Sequence, residues 1–148
     1  MVSATQMMQF FQQFRKFYAH QFASLMAETG FTMREFHVLL FLINNPDYDT
    51  ARDVSELRGM VKSQVSQAVE LLSARGMLLR TTDASDRRVV HLALTESGRA
   101  LALRAQVLQS ACYTRLLVGL SPEEETRLHA LLERVLENGS ALDAQSRG

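Results

Sequence analysis

Apolar residues recur at three- and four-residue steps through most of this chain, and the step falls to two in only one stretch. Residues 4–26 contain neither glycine nor proline, and Met7, Phe10, Phe11, Phe14, Phe17 and Tyr18 keep the helical interval. One long amphipathic helix is predicted there. Five phenylalanines between positions 10 and 22 make one side of it strongly aromatic, and Gly30 closes the segment. A second helix is predicted from Thr32, whose hydroxyl pairs reciprocally with Glu35 three residues on. Phe36, Leu39, Leu40 and Ile43 form its inner stripe, and Asn44-Asn45-Pro46 stops it. Thr50 and Asp53 repeat the start signal for a short helix with Ala51, Val54 and Leu57 facing inward, followed by a turn at Gly59. A further helix over about residues 62–75 places Val65, Ala68, Val69 and Leu72 on one stripe, with Gly76 suited to a left-handed cap.

The period then changes. Residues 77–82 and 89–94 read as two strands flanking the polar run Asp83-Ala84-Ser85-Asp86-Arg87-Arg88. In the second strand Val90, Leu92 and Leu94 alternate with His91 and Ala93, as a half-buried hairpin arm should. A long helix follows from Thr95 to about Leu117. Ser121-Pro122-Glu123-Glu124 then gives a hydroxyl cap, a proline at the first helical position and acids at the positive helix end. The last helix carries Leu128, Leu131, Leu132, Val135 and Leu136, and the tail beyond Gly139 is expected to fray. Two short helices around a glycine turn, followed directly by a hairpin, outline a winged helix-turn-helix. The predicted class is therefore mainly α with a small β-hairpin wing.

Composition narrows the function. The chain has 148 residues, 47% apolar and 22% charged, enough for one hydrophobic core. The single cysteine, Cys112, excludes an internal disulfide and points to a reducing, cytoplasmic setting. Gln6, Gln9, Gln12 and Gln13 interrupt the N-terminal Met and Phe residues, unlike a signal peptide, and no run approaches the ~20 apolar residues of a membrane span. Formal net charge is zero, but residues 50–91 hold seven basic and five acidic side chains, whereas residues 121–148 hold three and six. Phosphate binding needs a favourable face rather than a basic whole protein.

Residues 86–98, Asp-Arg-Arg-Val-Val-His-Leu-Ala-Leu-Thr-Glu-Ser-Gly, resemble the wing of the MarR family of bacterial regulators, in which Asp-x-Arg precedes a strand ending in Leu-Thr-x-x-Gly. Residues 62–72 resemble that family's recognition helix, and residues 75–80 its link into the wing. Where the family usually opens the recognition helix with a small hydroxyl residue, this chain has Val61. The resemblance implies a single domain over 1–148. Within it, residues 32–95 would form the DNA-binding lobe, with the wing at about 77–94, and helices in 1–28 and 96–142 would pair two copies. It implies a transcriptional regulator acting on double-stranded DNA as a homodimer, and no enzyme.

The residues fit that reading. Ser63, Gln64, Ser66 and Gln67 lie on the outer face of the fourth helix, where short polar side chains can approach base edges in the major groove, and Lys62 can meet phosphate. The same residues also suit an ordinary solvated helix face. Arg87 and Arg88 fall at the hairpin tip, where an arginine can enter a narrow minor groove. The resemblance gives that role to Arg88, steadied by Asp86; the alternative is an Asp86–Arg88 pair that merely stiffens the turn, and both can hold. Arg75 is a further phosphate candidate, as is Arg80, but arginines at helix ends also serve carbonyls and nearby acids.

Phe10, Phe14, Phe17, Leu116, Leu131, Leu132 and Val135 are candidates for the dimer contact or for intrachain core. Relatives in the family often bind small aromatic or anionic effectors, and Phe10, Phe14, Phe17, Tyr18 and His37 are candidates to line such a pocket. No cofactor or metal is expected, since His20, His37, His91 and His129 lack ligand spacing. Cys112 with the distant His129 could be proposed as a nucleophile and base, but no motif surrounds either. The serious rival to DNA binding is a winged helix that contacts protein with weak DNA affinity.

Overall fold

The computed structural model describes residues 1–146; the single-domain expectation extends to residues 147 and 148, which lie outside the described residues. The helices are α1 (Ala4–Gln21), α2 (Ala23–Thr29), α3 (Met33–Asn44), α4 (Ala51–Arg58), α5 (Lys62–Ala74), α6 (Glu96–Leu116) and α7 (Pro122–Ser146). The strands β1 (Leu78–Thr82) and β2 (Val90–Leu94) stand between α5 and α6. The chain divides into two compact units, Met1–Cys112 and the segment from Tyr113 onward.

In the first unit the core is shared among α2, α3, α4, α5, the hairpin and the first half of α6. Phe22, Phe36, Val38, Leu39, Val54, Ala68, Leu72, Ala102 and Ala105 are fully buried, with Phe31, Val65, Leu78 and Leu92 nearly so. Aromatic contacts run inward from the terminal helix: Tyr18 to Phe22 at 5.0 Å between ring centroids, Phe22 to Phe36 at 5.6 Å, and Phe36 to Phe31 at 6.4 Å. The expected single helix over residues 4–26 is interrupted at Phe22, whose backbone N–H turns to the Ala19 carbonyl three residues back. No glycine or proline causes the break. Phe22 is drawn completely into the core, and the local tightening of the helix follows its side chain.

The capping signals at Thr32/Glu35 and Thr50/Asp53 both form the reciprocal pairs the sequence predicts. Leu57, expected to face inward on α4, is instead 58% exposed. Three residues past Val54, it keeps the helical step but falls in the last turn of an eight-residue helix in which Val54 alone is buried. β1 and β2 pair antiparallel with Leu78 opposite Leu94, Arg80 opposite Leu92 and Thr82 opposite Val90.

The join between the wing and α6 explains the Leu-Thr-x-x-Gly pattern. Thr95 donates its hydroxyl to the Gly76 carbonyl at 2.6 Å and accepts from the Gly98 N–H at 3.0 Å. The Thr95 N–H meets the Met77 carbonyl at 3.1 Å. A Cβ on Gly98 would fall 1.9 Å from that same carbonyl oxygen, so only glycine lets α6 start against the root of the wing.

In the second unit α7 runs through Ser146 without burying a residue, so the tail expected to fray beyond Gly139 is helical to that point. Gly139 takes no left-handed conformation, and an interior glycine costs a helix only about 1 kcal/mol. Leu131, Val135, Leu136 and Leu142 are each at least half exposed along it.

Gly98→Ala is expected to lower stability by about 3 kcal/mol, the upper range for forcing a methyl group into packed structure, in a urea unfolding titration. An unchanged midpoint would mean that the close approach to Met77 is not a constraint.

Candidate nucleic-acid interface

The α5 helix begins without a side-chain cap. Val61 occupies the N-cap position in extended backbone, and its carbonyl accepts the first helical bonds from Gln64 and Val65. Its side chain is 63% exposed. The turn before it is steadied from outside the helix, by the Ser55 hydroxyl donating to the Met60 carbonyl at 2.8 Å. Val65, Ala68, Val69 and Leu72 are buried, which fixes the roll of α5 and leaves Lys62, Ser63, Gln64, Ser66 and Gln67 exposed.

At the wing tip one oxygen of Asp83 accepts from the Ser85 N–H, the Ser85 hydroxyl and the Asp86 N–H at 3.0, 2.7 and 3.0 Å. Asp86 in turn accepts from the Arg88 backbone at 3.0 Å and from its guanidinium at 3.2 and 3.3 Å. Arg88 nevertheless keeps its side chain 91% exposed. Rigidifying the turn and presenting a cation to solvent are therefore compatible roles. Arg87 is exposed beside it.

The wing is tied to the lobe by His91. Its Nδ1 meets Asp49 at 3.0 Å and its Nε2 meets Asp83 at 2.8 Å. Two carboxylates can both be satisfied only if both ring nitrogens donate, so the arrangement favours the imidazolium. Asp83 first, then Asp49, raise the His91 pKa above 6.5. The His91 bond is also the largest cause holding the Asp83 carboxyl well below the usual carboxylate range. The Leu92 N–H adds a backbone tie to the Asp49 carbonyl at 2.7 Å.

Between α4, α5 and the hairpin lies an open groove of about 500 Å³, with an apolar floor that includes Val65, Val69 and Val90 and with four cationic side chains, Arg52, Lys62, Arg80 and Arg88, in its lining. Arg52 was not singled out from the sequence. It sits on α4 with an i,i+4 bond to Glu56 at 2.9 Å, a spacing that reads from sequence as an ordinary surface pair. Only the hairpin's return beside α4 brings it to the same groove as Arg88.

Two predicted residues have partners inside the protein. The Arg75 guanidinium donates to the Thr29 carbonyl and lies 4.4 Å over the Phe31 ring, fastening the end of α5 to α2. Gln67 accepts from Arg34 Nη1 at 2.6 Å. Arg34 is itself held by Glu35, a fully buried carboxylate, at 2.7 Å. Burial would push the Glu35 carboxyl up, but the Thr32 hydrogen bonds and Arg34 outweigh it and keep it below its ordinary value.

Phe10, Phe14, Phe17 and Tyr18 touch ring to ring along α1, with Phe10 and Phe14 stacked at 6.0 Å. These contacts lead on to Phe22 and Phe36 rather than to His37. His37 on α3 is lowered to a pKa of about 4, by burial first and then by the charge of Arg58, so it is neutral near pH 7. Cys112 is buried in α6, and His129 stacks on Tyr113 at 5.9 Å. Among the described residues no group of three His, Cys, Asp or Glu is placed to hold a metal ion, and no helix is long and apolar enough to cross a membrane.

With this geometry in place, comparison with known proteins is specific. Residues 29–89, which span α3 to the wing tip, match the model of the MarR family. The chain is 30% identical over 107 residues to the uncharacterized HTH-type transcriptional regulator YkoM of Bacillus subtilis, covering 72% of this chain and 69% of that protein. It belongs to the MarR family. The fold of this MarR-family chain is similar to that of a MarR transcriptional regulator from Methanosarcina mazei, with a TM-score of 0.77 at 19% identity over 92% of this chain and 97% of the other. It is also similar to Bordetella bronchiseptica BpsR, a protein whose DNA binding is regulated by 6-hydroxynicotinic acid. There the TM-score is 0.66 at 25% identity over 88% and 98% of the two chains. The winged helix is thus that of a DNA-binding transcriptional regulator.

Because His91 is raised, the stability it lends is complete below pH 6.5 and is lost as pH rises through its folded value. Asp83 is depressed, so its share is present above its ordinary value of 3.8 and is lost on strong acidification. An NMR titration is expected to place the His91 transition above pH 6.5, with amide exchange in the wing accelerating beyond it once intrinsic base catalysis is corrected for. A transition at or below 6.5 would contradict the clamp. Val61→Ser is expected to raise stability by about 1 kcal/mol by supplying the missing cap, read as a higher urea midpoint. No gain would show that the turn through Met60 already satisfies the helix start.

Proposed function

We propose that this MarR-family regulator is a ligand-responsive repressor that binds a palindromic operator as a homodimer. Each copy lays α5 in a major groove and sets the wing against the adjoining minor groove. The observation that carries this reading is the exposed row Ser63, Gln64, Ser66 and Gln67 flanked by the groove of Arg52, Lys62, Arg80 and Arg88. Short polar side chains there suit base edges, while cations to one side suit the phosphate backbone. Arg88, exposed yet oriented by Asp86, is the wing's minor-groove contact, with Arg87 as its neighbour. Arg75 acts in this scheme by fixing the end of α5 rather than by touching DNA, since its guanidinium is already engaged.

Residues 32–95 form the DNA-binding lobe, and helices in 1–28 and 96–142 pair the two copies. One winged helix reads one half-site, so useful affinity calls for two. The terminal helices offer the apolar surface for it. α1 buries no residue although Phe10 and Phe11 are 41% and 54% exposed. Leu116, Leu131, Leu132 and Val135 are exposed as well. The phenylalanine row of α1, with Tyr18 and His37, is the candidate wall for a small aromatic or anionic effector. BpsR, whose DNA binding answers to an aromatic acid, is a relative in fold that supports this class. An effector favouring one spacing of the two α5 helices would release DNA by shifting populations.

The test is a salt titration of binding to a duplex selected from random sequence. Arg88→Ala is expected to weaken binding about tenfold and to reduce the salt slope by roughly one, while sedimentation still shows a dimer. Wild-type affinity and slope in that variant would remove the wing from the interface. Deleting residues 1–16 is expected to give monomers by sedimentation with strongly reduced affinity for the same duplex. A stable dimer would assign pairing to other helices.

A further inference from the structure

The link between α3 and α5 bears on which base is read. Glu35 is fully buried, and its Oε2 is taken up by Thr32 through the backbone N–H at 2.8 Å and the hydroxyl at 2.6 Å. Its Oε1 accepts from Arg34 Nε at 2.7 Å. The guanidinium is thereby fixed in orientation, and its remaining edge donates from Nη1 to Gln67 Oε1 at 2.6 Å. The direction of the Gln67 amide follows from chemistry. Arg34 can only donate, so the carbonyl oxygen must face it and the NH₂ group must face away.

We propose that Arg34 is a positioning residue for base selection, turning the Gln67 carbonyl toward its own guanidinium so that Gln67 leads into the major groove with its amide donors. A free glutamine pairs bidentately with adenine by donating to N7 and accepting from N6. With its oxygen held on the Arg34 side and its NH₂ group facing away, Gln67 matches an acceptor edge instead, as on guanine N7 and O6 or thymine O4. The nearby guanidinium charge reinforces that preference by repelling the adenine amino donor. Gln64 has no such neighbour among the described hydrogen bonds and keeps both amide groups for adenine. This inference rests on the reading that the outer face of α5 meets DNA.

The experiment is a base-preference profile of the full-length protein on a selected duplex varied one position at a time. Gln67→Ala first locates the position that flattens when the side chain is removed. There the wild type is expected to favour guanine or thymine over adenine roughly tenfold. Arg34→Met is expected to erase or reverse that ratio while leaving the other positions alone. Arg34→Lys, which keeps a cation beside Glu35 but cannot fork to both partners, is expected to shift the same way and covers the case in which Arg34→Met does not fold. A wild-type preference for adenine at that position would overturn the proposal. So would a profile unchanged in every folded Arg34 variant, including one in which affinity falls uniformly. If Gln67→Ala alters no position, the outer face of α5 reads no base there, and the interface assignment fails with it.

Discussion

A hairpin of two five-residue strands does not hold its shape in water unless something else buries or ties it. In this chain the wing is such a hairpin, and the DNA-binding reading depends on how it is anchored. Leu78 and Leu92 are buried on the lobe, His91 is gripped between Asp49 and Asp83, and the Leu92 N–H is taken by Asp49. At the hairpin root, Thr95 joins the Gly76 and Met77 carbonyls to the start of α6. Arg88 can stand 91% exposed at the tip only because these ties determine where the tip is.

The same economy governs α5. Its polar face, where Arg34 holds Gln67, stays exposed because nothing on that face builds the helix. Buried Val65, Ala68, Val69 and Leu72 set its roll, Ser55 steadies its entry through Met60, and Arg75 locks its exit onto Thr29 and Phe31. The two ends of the helix are thus secured by tertiary contacts, which compensates for a weak local start at Val61. The groove cations come from three separate elements, α4, α5 and the hairpin, so their convergence is a product of the fold rather than of any one segment.

Much of this was legible in the sequence, for identifiable reasons. Helix starts at Thr32 and Thr50, the left-handed turn at Gly76 and the strand alternation around Leu92 are local signals with local causes. The Asp86–Arg88 contact was legible because its partners are two residues apart. What could not be read depends on distant packing. The helix breaks at Phe22, where that ring is fully buried against Tyr18 and Phe36, and no residue nearby announces it. Leu57 fits the helical step but lies at the margin of a stripe too narrow to cover it. The Asp49–His91, Arg34–Gln67 and Arg75–Thr29 contacts span 42, 33 and 46 positions. Arg52 has the look of an ordinary i,i+4 surface pair until the hairpin returns beside it.

The central claim is that α5 and the wing tip together form the surface that meets DNA. Hydrogen-exchange mass spectrometry, with and without a duplex selected from random sequence, tests it most directly. Slowed exchange on binding is expected to concentrate in residues 62–75 and 83–90. Protection that spares both segments while the protein is saturated with duplex would contradict the account.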